Sequence, residues 1–134
     1  MADIHKIGAF VIRDKKVLVC RKAKDDFYIS LGGKIEDGED YETCLLREVQ
    51  EETGCTATNI RYLTTCHGTV HGAENKTIKM DCYLCDLTAE PKINPNDHIV
   101  EHRWISREYQ MQGIKVASLL EKHVIPELIK RDLI

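Results

Sequence analysis

The sequence has little that would attach the chain to a membrane, a secretory route or a nucleic-acid polymer. It contains no apolar run of the roughly 18 residues that a membrane-spanning helix needs. Its start, MADIHKIGAF, lacks a charged stretch followed by an apolar core, so we expect no signal peptide. The net charge of −3 predicts no broad basic surface for nucleic acid or lipid. We therefore expect a cytoplasmic protein with neither kind of partner.

The cysteines offer no disulfide framework. Six of them stand mostly singly within apolar runs, and without a secretion signal they are expected to be reduced thiols. Cys82-x-x-Cys85, with Cys66, His67 and His71 near it in the sequence, also fits a zinc site or a redox pair. Residues three apart on a strand point to opposite faces, so the strand expected there disfavours a shared ion. A zinc-holding protein stays an alternative.

Length and composition indicate one globular domain, which we assign to residues 1–134. Hydrophobic residues make up 43% of the chain and charged residues 31%, an ordinary balance for a folded domain. The sequence shows no internal repeat, low-complexity tract or linker, and its length suits a single core.

Hydrophobic periodicity and turn residues predict a mixed order of strands and helices. Asp14-Lys15 marks a hairpin, Asp40 fits a helix N-cap, Gly54 fits the residue after the helix end, and Pro126 interrupts the last helix. These signals predict an α/β (α+β) fold, in which helices cover both faces of a mixed sheet. The predicted elements are strands over 6–13, 16–22, 27–31, 59–68, 77–87 and 100–106, a loop over 71–76, an irregular segment over 90–97, and helices over 41–53 and 114–134.

The first predicted helix carries an acidic cluster that is unfavourable on its own. Glu48, Glu51 and Glu52 share one face, since residues three and four apart are neighbours on a helix, whereas Leu45 and Val49 fall on another face. The three carboxylates repel one another, and the dipole at the helix C-terminus disfavours negative charge. A solvated acidic face is one interpretation of such a run. A bound cation is the other, and oxygen ligands favour Mg²⁺ or Mn²⁺.

The spacing of residues around this helix resembles the Nudix box, G-x5-E-x7-R-E-U-x-E-E-x-G-U, in which U is an aliphatic residue. The matching stretch covers residues 33–55, and Cys55 stands where the last aliphatic residue is usual. Leu31 stands where many relatives have proline. The pattern is otherwise met by Gly33, Glu39, Arg47, Glu48, Val49, Glu51, Glu52 and Gly54.

The resemblance implies a fold, a reaction and a metal site. Nudix proteins are α/β/α sandwiches with a catalytic loop–helix–loop. They hydrolyse a nucleoside diphosphate linked to another moiety, and they use a divalent metal ion. By this resemblance, Glu48, Glu51 and Glu52 are the metal ligands, and Gly33 brings the loop close to both helix and metal because it lacks a Cβ.

Two roles within the implied site stay open. Arg47 either pairs with Glu39, so that loop and helix are held together, or orients a ligand carboxylate. The general base is either Glu48 or a carboxylate outside the box. Glu101, just before the last strand, is the best outside candidate, although a surface glutamate is equally common at a strand end.

Residues near the second strand and the box loop are candidates for substrate contacts. Arg21, with Lys22 beside it, and Lys34 could meet substrate phosphates, with plain surface cations as the alternative. Tyr28, with Phe27, could stack on a base, although either ring could instead belong to the core.

The resemblance leaves the substrate itself open. A nucleoside triphosphate, oxidised guanine nucleotides included, is the leading hypothesis for this small-molecule partner. Hydrolysis of ADP-ribose or sugar nucleotides is an alternative, as is a Nudix-fold module that binds nucleotides without cleaving them. A homodimer is compatible with the sequence but is not required by it.

Overall fold

The computed structural model describes residues 2–70 and 72–134. Its helical elements are α1 (Tyr41–Thr53), a π-helical segment (Leu120–Val124) and α2 (Ile125–Lys130). In these two described ranges, no helix is long and apolar enough to cross a bilayer. The strands are β1 (Ile4–Phe10), β2 (Ile12–Arg13), β3 (Lys16–Lys22), β4 (Leu31–Lys34), β5 (Ala57–Val70), β6 (Ala73–Leu87) and β7 (Ile99–Ile105).

Two sheets form the framework. The first is a four-stranded mixed sheet of order β4-β1-β6-β5, in which β1 and β6 run parallel and the other neighbours antiparallel. The second is a three-stranded antiparallel sheet of order β2-β3-β7. Val11, which is buried between β1 and β2, is where the chain passes from the first sheet to the second. The predicted mixed sheet is therefore present, and the first predicted strand is divided between two sheets.

Alternating strand side chains build an apolar cluster on each face of the mixed sheet. In β1, Ile7 belongs to the cluster that contains Leu45 and Val49 of α1. Phe10 belongs to the other cluster, together with Leu128 of α2. Because successive side chains of a strand point to opposite faces, one short strand supplies both cores. One helix on each face of a mixed sheet confirms the α/β/α layering that the sequence predicts.

The hairpin and the ends of α1 follow the local signals in the sequence. Asp14 and Lys15 join β2 to β3 with φ values of 51° and 61°, the pair of positive φ angles that a two-residue hairpin turn needs. The Asp40 carboxylate accepts a hydrogen bond from the Thr43 N–H at 2.8 Å and caps the helix. Gly54 ends it in the left-handed region, with φ of 71°.

The strand predicted over 27–31 is wrong. β4 begins only at Leu31 and continues through the glycine pair that follows. Tyr28 and Ile29 make isolated bridges instead, Ile29 to β3 and Tyr28 to Val116. Neighbouring residues here pair with different segments, because the chain is crossing between the sheets, and an apolar pattern cannot reveal such a crossing.

The helix predicted over 114–134 begins later, because Val116 is held extended in its bridge to Tyr28. The interruption near Pro126 is confirmed. The Ile125 N–H donates to the carbonyl oxygen of Leu120, five residues back, which makes a π-helical turn. Proline has no N–H to donate, so the regular helical ladder could not have continued through this position.

The β5–β6 hairpin is longer than the predicted loop over 71–76 allows, since β6 already begins at Ala73. His71, one of the residues considered for zinc, lies outside the described residues. The irregular segment predicted over 90–97 is confirmed, because no helix or strand lies between Leu87 and Ile99.

Leu128 tests how much the C-terminal helix contributes to the core, because its side chain is fully buried. We expect Leu128→Ala to lower the free energy of unfolding by about 2–5 kcal/mol, since the truncation removes buried carbon and leaves a cavity. Met111→Ala, at a side chain that is 88% exposed, is the matched control and should change it by less than about 0.5 kcal/mol. Urea denaturation measures both. An equally small loss of unfolding free energy in Leu128→Ala and Met111→Ala would show that α2 does not belong to the cooperatively folded core.

Candidate active site

The candidate site begins where α1 approaches the glycine pair of β4. A Cβ on Gly33 would lie only 2.5 Å from the carboxyl carbon of Glu48, so no larger residue could stand there without moving the helix or that side chain. Gly32 has a φ of 115°, and a Cβ on it would collide with the carbonyl oxygen of Ile7. Its N–H donates to Glu52 Oε1 at 2.8 Å. At these two glycines β4 presents only its backbone to α1, which leaves room for the carboxylates of Glu48 and Glu52.

The three box carboxylates have different surroundings. Glu52 is only 2% exposed, and burial raises the pKa of its carboxyl to about 9, against the lowering effect of the Gly32 N–H. Glu48, whose side chain is 15% exposed, has a pKa raised by burial, with Arg47 opposing the shift. The Glu51 side chain is 49% exposed. A solvated acidic face, the alternative interpretation of this run, therefore fits Glu51 but neither of its two neighbours.

Arg47 makes both of the contacts that the sequence left as alternatives. Its Nε and Nη2 donate to the two oxygens of Glu39 at 2.8 and 3.0 Å, a bidentate pair. Its Nη1 donates to Glu48 Oε1 at 2.9 Å. The pair with Arg47 holds the pKa of Glu39 down at about 2, and it raises the pKa of Arg47. One guanidinium thus joins the loop before α1 to a carboxylate on it.

The C-terminal carbonyl groups of α1 are held by segments far away in sequence. The His102 Nε2–H of β7 donates to the Glu52 carbonyl oxygen at 2.8 Å. The Lys92 N–H donates to the carbonyl of Thr53 at 2.8 Å, and Asn94 Nδ2 to that of Glu51 at 3.3 Å. These bonds satisfy groups that a helix end leaves unpaired, and they bring the loop over 91–97 to the carboxylate end of the helix.

Asp97, at the end of that loop, is a candidate that sequence reasoning missed. Its side chain is only 11% exposed, and its charge is among the causes that raise the pKa of both Glu48 and Glu52. It therefore lies close enough to interact with the box carboxylates. No spacing rule connects it to the box. The one signal was an acidic residue in a proline-containing loop just before a strand.

Glu101 does not join the box carboxylates. It pairs with Arg21 across β7 and β3, while the adjacent pair, Cys20 and His102, faces α1. Because neighbouring strand residues point to opposite faces, Glu101 and Arg21 point away from the helix. Arg21 Nε donates to Glu101 Oε1 at 2.8 Å. Arg21 was a candidate for phosphate contacts and Glu101 for the general base, and the structure brings them to each other.

Tyr28 joins the pair formed by Arg21 and Glu101. Its hydroxyl donates to Glu101 Oε2 at 2.8 Å, and its side chain is part of the apolar core, at 7% exposed. The ring is therefore buried in the core, which was the alternative to stacking on a base.

A groove of about 1310 Å³ extends from the box carboxylates, with Glu48 and Glu52 in its lining. Lys6, Lys22 and Lys34 also line it. Lys34 and Lys22 were candidates for phosphate contacts, whereas Lys6 was missed. Burial is the largest cause that lowers the pKa of Lys6, followed by the nearby charge of Lys22. Apolar side chains form another part of the lining, among them Phe27, Ile29, Ile78, Met80, Val116 and Leu119.

The structure disfavours a zinc site. Cys82 and Cys85 belong to different apolar clusters on opposite faces of the sheet. Within residues 2–70 and 72–134, no three His, Cys, Asp or Glu side chains are grouped so that they could hold a metal ion. Burial also raises the pKa of the Cys44 thiol to about 12, so this cysteine next to the box carboxylates is an inert spacer.

The three box carboxylates are not grouped around one point here, but their chemistry suits a hard divalent cation. Their donors are all oxygen, two of the three are largely buried, and Gly33 keeps the space beside Glu48 free of a side chain. Arg47 and the Gly32 N–H hold two of the oxygens in this arrangement.

Comparison with known proteins identifies relatives of the chain. A family model described as the NUDIX domain matches residues 5–118. The NAD-capped RNA hydrolase NudC of Vibrio atlanticus is 43% identical over 54 residues, which are 39% of this chain and 20% of that protein. The chain thus spans about a fifth of the length of this curated relative.

Two solved structures resemble the fold of this chain over most of its length. The E. coli ORF135 protein has a TM-score of 0.71 and 27% identity, covering 96% of this chain and 88% of that one. The MutT NUDIX hydrolase of Burkholderia pseudomallei has a TM-score of 0.67 and 22% identity, and the match covers 78% of this chain and 84% of that one. The latter likeness shows the fold alone.

The burial of the Glu52 carboxyl predicts that the stability of the protein depends on pH in the presence of EDTA. Its pKa is about 9 in the folded protein against a usual 4.5, so the native state keeps a proton that the unfolded chain releases. Stability therefore falls as pH rises from about 4.5 to 9, with a slope from this group of at most about 1.4 kcal/mol per pH unit.

Glu52→Gln, which keeps the shape without the charge, should lose this slope and be the more stable protein at pH 8. Glu51→Gln on the same helix is the exposed control and should keep the slope. Thermal unfolding from pH 5 to 9 measures all three proteins. Identical profiles for Glu52→Gln and the unaltered protein would contradict a buried, uncompensated charge.

Proposed function

Because the chain belongs to the Nudix family, we propose that it is a metal-dependent pyrophosphohydrolase that cleaves a nucleoside diphosphate linked to another moiety. One observation carries this proposal above all: two largely buried carboxylates, Glu48 and Glu52, line the same groove as Lys6, Lys22 and Lys34. Acidic groups that could hold a cation therefore share a cleft with basic groups that could hold phosphates.

We assign Mg²⁺ or Mn²⁺ to Glu48, Glu51 and Glu52. When bound there, a divalent ion would neutralise pyrophosphate charge and lower the pKa of a bound water. The protein's own contribution is to hold the ligand oxygens in place: Arg47 fixes Glu48, and the Gly32 N–H fixes Glu52. Such second contacts orient ligands that would otherwise rotate.

The remaining roles follow from charge and position. Lysines in the groove would bind the phosphates of the substrate and draw charge away from the bond that breaks. A carboxylate must take the proton from the attacking water, and the candidates are Glu48 and, outside the box, Asp97. Asp97 is favoured over Glu101 because its charge acts on Glu48 and Glu52, whereas Glu101 points away from α1 and is held by Arg21 and Tyr28.

The substrate class is the least constrained part of the proposal. A (d)NTP or oxidised nucleotide is the leading candidate, and the apolar lining of the groove suits a base. ADP-ribose and sugar nucleotides are the second candidate, because a groove of about 1310 Å³ exceeds the roughly 300–1,000 Å³ of an ordinary ligand pocket. A binding module without hydrolysis is disfavoured, since all three box carboxylates are present. The cytoplasmic location and the homodimer stay predictions.

A phosphate-release assay with Mg²⁺ tests the proposed reaction. Its panel holds nucleoside triphosphates, oxidised guanine nucleotides, ADP-ribose, sugar nucleotides and dinucleoside polyphosphates, with a phosphatase added to reveal products that hold a terminal phosphate. Glu52→Gln should lower turnover by about 10²-fold or more, because a ligand charge is lost. Glu42→Gln, an exposed carboxylate on the first turn of the same helix, should leave it unchanged. Equal turnover in both variants would contradict the assignment of Glu52.

Asp97→Asn tests the carboxylate outside the box. We expect kcat to fall by about 10²- to 10⁴-fold if Asp97 takes the proton, with the thermal unfolding temperature and KM close to those of the unaltered protein. Glu90→Gln, at a 73% exposed partner of Arg13, is the control and should show unaltered kinetics. An unchanged kcat in Asp97→Asn would leave Glu48 as the base.

A further inference from the structure

Arg21 ties down the segment that follows β3. Its Nη1 donates to the carbonyl oxygens of Asp25 and Lys22 at 3.0 and 3.3 Å, while its Nε is held by Glu101. The guanidinium, whose side chain is 28% exposed, therefore holds two backbone carbonyl groups of this segment in place. Much of residues 22–30, here called the loop wall, lines the groove, through side chains that include Lys22, Phe27 and Ile29.

Tyr28 ties the loop wall to a second segment. Its N–H donates to the carbonyl of Lys115 at 2.9 Å, and its own carbonyl accepts from the Ala117 N–H at 2.8 Å. Residues 113–123, here called the terminal wall, also line the groove. Tyr28 is thus the point at which the two walls are joined by backbone hydrogen bonds.

Glu101 holds both partners at once. One oxygen accepts from Arg21 Nε and the other from the Tyr28 hydroxyl, each at 2.8 Å. Arg103 adds a third contact, with Nη1 3.3 Å from the Tyr28 oxygen and its guanidinium over the ring. These bonds hold the pKa of Glu101 below its usual value, so the side chain is a charged acceptor in ordinary conditions. Charge-assisted bonds of this kind are the strong class of hydrogen bond.

We propose that Arg21, Tyr28 and Glu101 form a positioning network, which fixes the loop wall against the terminal wall and so sets how tightly the groove binds the base and sugar of the substrate. The proposal rests on the groove being the substrate site of the proposed hydrolase. Arg21 and Glu101 point away from the box carboxylates, so the network acts chiefly on substrate affinity and only secondarily, through Lys22 of the loop wall, on the hydrolytic step.

Kinetics with a substrate found in the panel distinguish this role from catalysis. Glu101→Ala should raise KM by about 10-fold with kcat within about 3-fold, since a wall shifts while the carboxylates stay. Glu101→Gln keeps a neutral acceptor for Arg21, so KM should rise less than in Glu101→Ala, with kcat again within about 3-fold. A general base would behave otherwise, with kcat falling by about 10²-fold or more in both variants at little change in KM. That outcome would overturn the proposal.

Tyr28→Phe carries the same test with the smallest possible change, in case Glu101→Ala folds poorly. It removes one hydroxyl from a buried ring, and KM should rise by about 3-fold with kcat retained. Tyr62→Phe is the matched control. The Tyr62 hydroxyl also makes one hydrogen bond, with the Thr65 hydroxyl at 2.7 Å, but this tyrosine is 58% exposed and is not among the residues that line the groove. An unchanged KM in both tyrosine variants and in Glu101→Ala would overturn the proposal.

Amide hydrogen exchange makes the result independent of turnover. In Glu101→Ala and Tyr28→Phe, peptides covering the loop wall and residues 113–120 should exchange about 10-fold or more faster, because the bonds of Tyr28 to Lys115 and Ala117 open more often. Peptides from β1 and β6 should not change. If the unaltered protein hydrolyses nothing, the proposed function fails, yet faster exchange in both walls still supports the network. Unaltered exchange in both variants contradicts it whatever the kinetics show.

Discussion

The approach of α1 to the glycine pair of β4 is the contact on which the site depends. With no side chain at Gly33, the helix comes close enough for the Glu48 carboxyl to occupy the space that a Cβ would fill. The same closeness buries Glu52 against the Gly32 N–H. Burial of like charges is unfavourable unless something compensates it. The elements around the helix end therefore have to supply hydrogen bonds, opposite charge, or a place for a cation.

The structure divides that compensation among distant segments. Arg47 joins Glu48 to Glu39 of the preceding loop. The carbonyl groups at the end of α1 are bound by His102 of β7 and by the loop that contains Lys92. Each contact comes from a different element, so the end of the helix cannot move without breaking several of them. A set of carboxylates held in this way is preorganised, which is what a site for a cation and a pyrophosphate requires.

The sequence predicted what is local and missed what depends on register. Helical spacing places Glu48, Glu51 and Glu52 together, and cap residues mark both ends of α1, because these features involve residues a few positions apart. Asp97 comes from a loop 45 residues beyond Glu52, and no local pattern connects them. The choice between Arg21 and Lys22, or between Glu101 and His102, depends on strand register, since one position decides the face to which a side chain points. Pairing partners that are 80 residues apart determine that register.

Strands β3 and β7 serve two sites because of this alternation. Cys20 and His102 face α1, where His102 binds the carbonyl oxygen of Glu52, whereas Arg21 and Glu101, one position along, face the other way, where Glu101 binds Tyr28. A substitution on one face therefore leaves the other side chains in place, as long as the backbone pairing is kept. The chemistry of the box and the shape of the groove can then change independently. If the groove is the substrate site, as proposed, this separation would let the box residues keep the family's chemistry while the walls of the groove set the substrate.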